Sequence, residues 1–458
     1  MQSGVRRGFS VSANGRHLLR DGRPWLPNVA AGAWFAIQAV SDTDSSSFFD
    51  TLAAAGFNCA HVSLIANDTD RYGSTSGNHF AAPNWNNGST VAPFSTPGDF
   101  STFATTYKTH ARGRVDYMLS KGLIPILAIC YPGYLGDSGS SGQGWADEMA
   151  ADTNAHMTTY GAAAETLFSD VRELMWTIGG DVALTPSSTI ESRSLAVATG
   201  VQSVNTGRLW MAHLGGSNTG LWPYEQANIA AIPGMLWSMY RYADDAERAW
   251  WGVEQAYAHS PTRPALVLDP AYEGDPGPAG YMDRTRLRQR THSTMCSGAA
   301  SVAYSRGDDG DGLAWYEMAT ASWTTTKPGL ADHQIAYDFW SALPWWTMEP
   351  DLTSTYTTAG RGTHSSTSDD YVTVRASTAC LAAYFQPGST NTITVDLSQF
   401  TGPGAFSGAG SRRARWFDPV DGSYTAISTY STSGTQNFQN SASNNASGTT
   451  NDRLLVID

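Results

Sequence analysis

Over residues 1–350, short apolar runs alternate with segments of helical spacing, and this alternation leaves few folds open. The runs cover 25–34, 58–65, 123–130, 174–178, 208–213, 235–240, 265–268 and 299–304. Helical spacing of apolar residues marks 44–55, 103–120, 154–168, 246–258 and 284–296 between them. Eight strand–helix units in about 300 residues are the size of a closed parallel barrel. An entry hairpin is expected over 9–25, with Asp21 and Gly22 as its turn. A last helix is expected at 330–343.

The texture changes after residue 350. Residues 351–458 alternate β-branched and polar side chains, with turn signals every eight to twelve residues. A small antiparallel sandwich is expected there. The fold class is therefore α/β: a (β/α)8 barrel at 1–350, then a β-sandwich at 351–458. The sandwich has few aromatic residues placed for display, so it reads as a prop packed on the barrel.

Composition narrows the function. The chain has 458 residues and 41 acidic against 28 basic side chains, for a net charge of −13. Nucleic acid is an improbable partner, because phosphate binding needs clustered Lys and Arg. Aromatic residues make up 11 % and include 16 Trp, which suits proteins that stack rings on the C–H faces of sugars. No apolar run reaches the ~18 residues of a membrane helix. The first residues lack the apolar core of a signal peptide. The sequence thus leaves a cytoplasmic location, or a secreted or periplasmic one if a leader was removed. The four cysteines, Cys59, Cys130, Cys296 and Cys380, form no CxxC pair and read as buried thiols. No cofactor and no metal are expected. The acidic run at Asp308, Asp309 and Asp311 is read as a solvated loop, because it lacks a complete calcium-loop pattern.

Two strand ends carry carboxylates. Glu173-Leu-Met-Trp-Thr-Ile-Gly-Gly-Asp181 puts an acid after the fourth apolar run and a Gly-Gly turn. Arg263-Pro-Ala-Leu-Val-Leu-Asp-Pro-Ala-Tyr-Glu273 puts Asp269 and Glu273 after the seventh. The C-terminal ends of barrel strands are where such folds keep their catalytic groups. Two carboxylates there are the minimum equipment for glycoside hydrolysis. Asp181 is the expected general acid/base, against a plain helix N-cap. Glu273 and Asp269 compete for nucleophile; the structural alternative for Glu273 is a carboxylate held by Arg306 or Arg241. The other candidates for contact with an oligo- or polysaccharide are Trp34, His61, Trp145, His213, Tyr240, Tyr272 and Trp315. For His61, His213 and the three Trp residues, core packing is the competing reading. Tyr240 and Tyr272 could orient the nucleophile through a phenol hydrogen bond.

Six segments in order resemble the apiosidase-like glycoside hydrolases, whose barrel is followed by a β domain labelled collagen-binding. They are Gly15-Arg-His-Leu-Leu-Arg-Asp-Gly-Arg-Pro-Trp25, Ala55-Gly-Phe-Asn-Cys-Ala-His-Val-Ser-Leu64, Gly144-Trp-Ala-Asp-Glu-Met149, Trp176-Thr-Ile-Gly-Gly-Asp181, Pro270-Ala-Tyr-Glu273 and Trp416-Phe-Asp-Pro-Val-Asp-Gly-Ser-Tyr424. The resemblance implies a glycosidase, with Asp181 at the family's acid position and Glu273 in its Tyr-Glu pair. Two places depart from the family pattern. Ala30-Ala-Gly-Ala-Trp34 lacks the family's acid before the Trp, and Asp269 stands where a Glu is usual. Both departures favour an altered substrate. The expected activity is cleavage, with retention, of a plant or bacterial polysaccharide, furanose-bearing ones containing apiose or arabinose included. An endo-acting glycanase or a non-catalytic carbohydrate-binding protein are the alternatives.

Overall fold

The computed structural model describes residues 8–38, 40–65, 92–96, 98–133, 144–180, 184, 186–215, 222–240, 249–274, 276–277, 280–307, 315, 327–366, 368, 370–404, 410–441, 445–446, 448 and 450–458. It opens with a three-stranded meander, β1 (Phe9–Val11), β2 (Leu18–Arg20) and β3 (Arg23–Trp25), rather than a simple hairpin. Asp21 and Gly22 both have positive φ, 54° and 74°, as a two-residue type I′ turn requires.

The parallel strands follow: β4 (Asn28–Ala30), β5 (Cys59–Ser63), β6 (Ile124–Ala128), β7 (Met175–Gly180), β8 (Leu209–Leu214), β9 (Trp237–Tyr240) and β10 (Ala265–Asp269). A short β11–β12 hairpin (Pro276–Gly277, Gly280–Tyr281) precedes β13 (Val302–Tyr304). Six strands pair in the order β13-β4-β5-β6-β7-β8, and β9 pairs with β10. Serine hydroxyls complete the two seams. Ser238 Oγ accepts from Ala212 N and donates to Ala212 O, both at 2.8 Å, joining β9 to β8. Ser301 Oγ does the same with Val267 N and O, at 2.7 and 2.9 Å, joining the approach to β13 to β10. Each hydroxyl stands in for a ladder partner that the curvature withdraws.

Helices cover the outside: α1 (Asp42–Ala54), α2 (Thr105–Ser120), α3 (Ala146–Ala151), α4 (Asn154–Leu167), α5 (Thr189–Val204), α6 (Ala227–Ala230), α7 (Ala249–Ala258), α8 (Arg284–Cys296) and α9 (Pro328–Ala342). The expected helices lie within a few residues of these. Helix α5 is not among the helices expected from the sequence, although Ile190, Val197, Ala198 and Val201 give it a buried apolar face. It is held by small residues: Gly161 and Gly200 sit where a Cβ would meet the facing helix backbone at 2.1 and 2.0 Å. Strand alternation sorts the core. Cys59, Met175, Leu209 and Met211 cluster on one side, and Ala60, Val62, Trp176, Ile178, Trp210 and Ala212 join the helices on the other.

The C-terminal part is two antiparallel sheets. Six strands run in the order β14 (Glu349–Pro350), β16 (Thr373–Ala376), β17 (Leu381–Phe385), β22 (Arg453–Ile457), β19 (Ser411–Phe417), β20 (Tyr424–Ser431). Three run in the order β15 (Thr357–Ala359), β18 (Thr392–Asp396), β21 (Thr435–Gln439). The central strands are apolar on both faces because both are covered. Leu381, Ala383, Phe385, Leu455 and Ile457 meet Ile393, Val395 and Phe438 of the small sheet. Ala382, Tyr384, Leu454 and Val456 meet Met295, Phe339 and Trp340 of the barrel helices.

A buried charge network crosses that interface. Arg288 of α8 donates from Nη1 to Asp332 of α9 at 2.7 Å and from Nε to Asp452 of the sandwich at 3.1 Å. Asp452 also accepts from Tyr384, Asn445 and Thr450. All four cysteines are buried free thiols. Among the described residues, no helix is long and apolar enough to cross a membrane.

Two predictions follow from this packing. Arg288→Met leaves two buried carboxylates short of their cation and lowers unfolding free energy by about 3–5 kcal/mol in denaturant titration. His292 and His333 are fully buried, and burial pulls both down to about 3. They stay neutral in the fold while the unfolded chain takes up protons below the ordinary histidine range. Their contribution is therefore intact above about pH 6.5 and is lost as pH falls toward 3. Unfolding free energy measured against pH drops by about 1.4 kcal/mol per unit for each of them in that window.

Candidate active site

Several of the candidate residues meet at the C-terminal ends of the barrel strands. Asp269 ends β10 and is fully buried. Its Oδ2 accepts from the Tyr272 hydroxyl at 2.9 Å and lies 3.4 Å from His213 Nε2 at the end of β8. Its Oδ1 has no hydrogen-bond partner among the described residues.

Trp34 lies over this group. Its ring stacks on Tyr131 and His213, with centroids at 5.0 and 5.1 Å, and meets His61 edge-on at 4.6 Å. His61 and His213 are 5.9 Å apart. Burial and the neighbouring His213 hold His61 well below the ordinary histidine value, so it is neutral at neutral pH. Gly32 makes the crossing possible. It has φ +75°, and a Cβ there would lie 2.8 Å from Ser305 Oγ and 3.3 Å from the Tyr272 ring.

Glu273 is bound differently. Oε2 accepts from the Tyr304 hydroxyl at 2.6 Å, and Oε1 accepts from Gly329 N at 2.8 Å. Gly329 is in the first turn of α9, whose N-cap residue, Lys327, gives no side-chain cap. The Glu273 carboxylate supplies that cap from across the barrel mouth. A Cβ on residue 329 would come within 2.6 Å of it. The Glu273 backbone is tied as well: its N donates to Ser305 O at 3.0 Å and its O accepts from Gly307 N at 2.8 Å. Burial raises its pKa, and Tyr304, Gly329 N–H and Lys327 offset part of that rise.

The structure thus brings together Trp34, His61, His213, Asp269 and Tyr272, while the Glu273 carboxylate meets Tyr304 and Gly329. Trp145 is fully buried among Phe94 and Phe100. Trp315 is buried against Phe48, Phe57 and Tyr304. Neither ring stands open in the mouth. Tyr240 closes β9, and its side chain lies outside the described residues. So do Asp181, Arg241, Asp308, Asp309 and Asp311. Gly179 and Gly180, which precede Asp181, are needed for close approach. A Cβ would meet His213 O at 2.3 Å from the first and the Tyr131 ring at 2.8 Å from the second. Sequence reasoning missed Tyr131 and Tyr304. An aromatic at a strand end was the available signal, but its partners come from other strands.

Among the described residues, one group brings metal-type ligands together: Asp99, Asp152 and His156. His156 Nδ1 lies 3.1 Å from Asp99 and 2.7 Å from Asp152. Backbone N–H groups of Phe100, Ser101 and Thr153 also serve these carboxylates. The contacts tie the segment before α2 to α4.

Residues 12–347 match the family described as apiosidase-like, catalytic domain, and residues 362–458 match one described as a collagen-binding domain of a collagenase. No protein of curated function matches the chain in sequence. Among solved structures, a glycoside hydrolase of family 5 from Bacteroides vulgatus ATCC 8482 is similar at TM-score 0.76 and 18 % identity, covering 98 % of this chain and 93 % of that one. A structure titled glycoside hydrolase is similar at TM-score 0.72 and 18 % identity, covering 98 % and 96 %. Another glycoside hydrolase from the same Bacteroides strain is similar at 0.64 and 12 %, covering 99 % and 82 %. At these identities the likeness is one of fold, extending over barrel and β domain together. With most of its length matched by the catalytic-domain family, the chain belongs to the apiosidase-like family.

Proposed function

We propose that this protein is a retaining glycoside hydrolase, with Asp269 as nucleophile and Asp181 as acid/base. The observation that carries the reading is the contrast between the two seventh-strand carboxylates. Both oxygens of Glu273 are engaged in holding the fold, whereas Asp269 Oδ1 has no partner among the described residues. The Tyr272 hydroxyl holds the other Asp269 oxygen, with His213 Nε2 3.4 Å from it. A carboxylate oriented through one oxygen and free at the other is suited to attack an anomeric carbon.

In the first step Asp181 gives its proton to the leaving glycosidic oxygen as Asp269 bonds to the anomeric carbon. In the second, Asp181 takes a proton from water, the water oxygen bonds to that carbon, and Asp269 leaves as carboxylate. Glu273 is a positioning residue. It keeps the segment that follows Asp269 tied to β13 and α9. The substrate class is an oligo- or polysaccharide. Apiose- or arabinose-bearing chains come first, on the family match.

The test is reducing-sugar release from pectic, arabinan, arabinogalactan and glucan polymers. Asp181→Ala and Asp269→Asn are expected to lose at least about a thousandfold in turnover. Glu273→Gln is expected to lose about 1–3 kcal/mol of stability and far less turnover below its lowered melting temperature. Equal loss in Glu273→Gln and Asp269→Asn at matched folded fraction would move the nucleophile to Glu273. Proton NMR of the first product anomer separates retention from inversion. No release by the wild type from any polymer would favour a binding protein.

A further inference from the structure

We infer that Thr177 and Ser305, together with His61, form a second polar tier of the sugar site and read hydroxyls of a neutral sugar. This rests on the hydrolase reading for its location. Its evidence is separate: a set of buried polar atoms without partners among the described residues.

Thr177 Oγ1, Ser305 Oγ and both ring nitrogens of His61 are buried and make no hydrogen bond among the described residues. The three residues are at most 1 % exposed. A native core satisfies the large majority of such atoms, because each one left over costs about 1–3 kcal/mol. Four such atoms on inward-facing strand positions and beside the Asp269 group therefore point to a ligand that completes them.

Their placement supports this. His61 alternates with Ala60 and Val62, and Thr177 with Trp176 and Ile178, which pack outward on the helices. His61 and Thr177 therefore project inward, as His213 does on β8. His61 touches Trp34 and His213, and His213 touches Asp269. Ser305 follows β13, and its Oγ and the Tyr272 ring both crowd the same point beside Gly32. Tyr272 in turn bonds Asp269. Thr177 is four positions before Asp181 on the strand that leads to it.

The chemistry of the set selects the ligand class. Two hydroxyls can each donate and accept, and a neutral imidazole offers one donor and one acceptor. That combination matches sugar hydroxyls, which also do both. None of the three residues carries a charge to pair with a uronate carboxylate.

Thr177→Val and Ser305→Ala remove the unpartnered hydroxyls with little change of shape. If the tier reads substrate, both apo variants melt at or above the wild-type temperature, because a buried unsatisfied group is gone. Both also lose about tenfold or more in kcat/KM on the polymer that the wild type cleaves. A second arm does not depend on cleavage: the rise in melting temperature produced by apiose, arabinose, xylose or galactose, with glucuronate as the charged comparison. The expected result is a rise in the wild type with a neutral sugar and a smaller rise in each variant. If the wild type cleaves nothing yet shows this pattern, the tier stands and the hydrolase reading falls. Variants that melt lower than the wild type with kinetics and sugar response unchanged would overturn the tier and make the hydroxyls structural. A larger response to glucuronate than to every neutral sugar would overturn its proposed selectivity.

Discussion

The Glu273 carboxylate is the contact on which the mouth of the barrel depends. It leaves the seventh strand's loop, meets the hydroxyl of Tyr304 at the end of β13, and caps α9 at Gly329. A closed parallel barrel must join its last strand to its first, and α9 lies behind that junction. From α9, His333 reaches Asn28 on β4 at 2.6 Å, and Tyr337 receives a hydrogen bond from Asn58 just before β5 at 3.1 Å. One buried acid therefore sets the position of a helix that braces the first two strands. Burial makes its charge costly, and two hydrogen bonds with a nearby lysine recover part of that cost.

The same knot explains why two carboxylates four residues apart have different surroundings. Asp269 is still on the strand and points toward His213. Glu273 is already on the return segment, paired by its backbone to residues after β13. Their spacing in sequence says nothing of this. A strand that ends between them sends the two side chains to different neighbours.

The sandwich stabilises the barrel from the side. Its large sheet is covered twice, by the small sheet and by α8 and α9, so it behaves as an internal layer rather than an appended module. Arg288 puts a charge in that layer, and two aspartates from different domains balance it. Such a network is expensive to desolvate and unforgiving of misalignment, which favours one relative placement of the two parts. The helix that carries Arg288 begins at Arg284, which also pairs with Asp332. The orientation of the sandwich is therefore coupled to α9, and through it to Glu273.

Periodicity along the chain determined the eight-strand barrel, most helix positions and the switch to β structure near residue 350. These are local properties: apolar runs of strand length, glycine and proline punctuation, and caps such as Ser41 and Asp283. The strand ends also marked Asp269, Glu273, His61, His213 and Tyr272 as candidates. Tertiary structure decided which groups meet. Tyr131 over Trp34, Tyr304 on Glu273 and Ser305 beside Tyr272 join residues far apart in sequence, and no spacing encodes them. It also put Trp145 and Trp315 into aromatic packing, because a tryptophan in sequence looks the same whether its faces meet phenylalanines or a sugar. The apolar spacing of Ile190, Val197 and Val201 made α5 legible as a helix, but its close approach to α4 through Gly161 and Gly200 is a property of the pair and not of either helix.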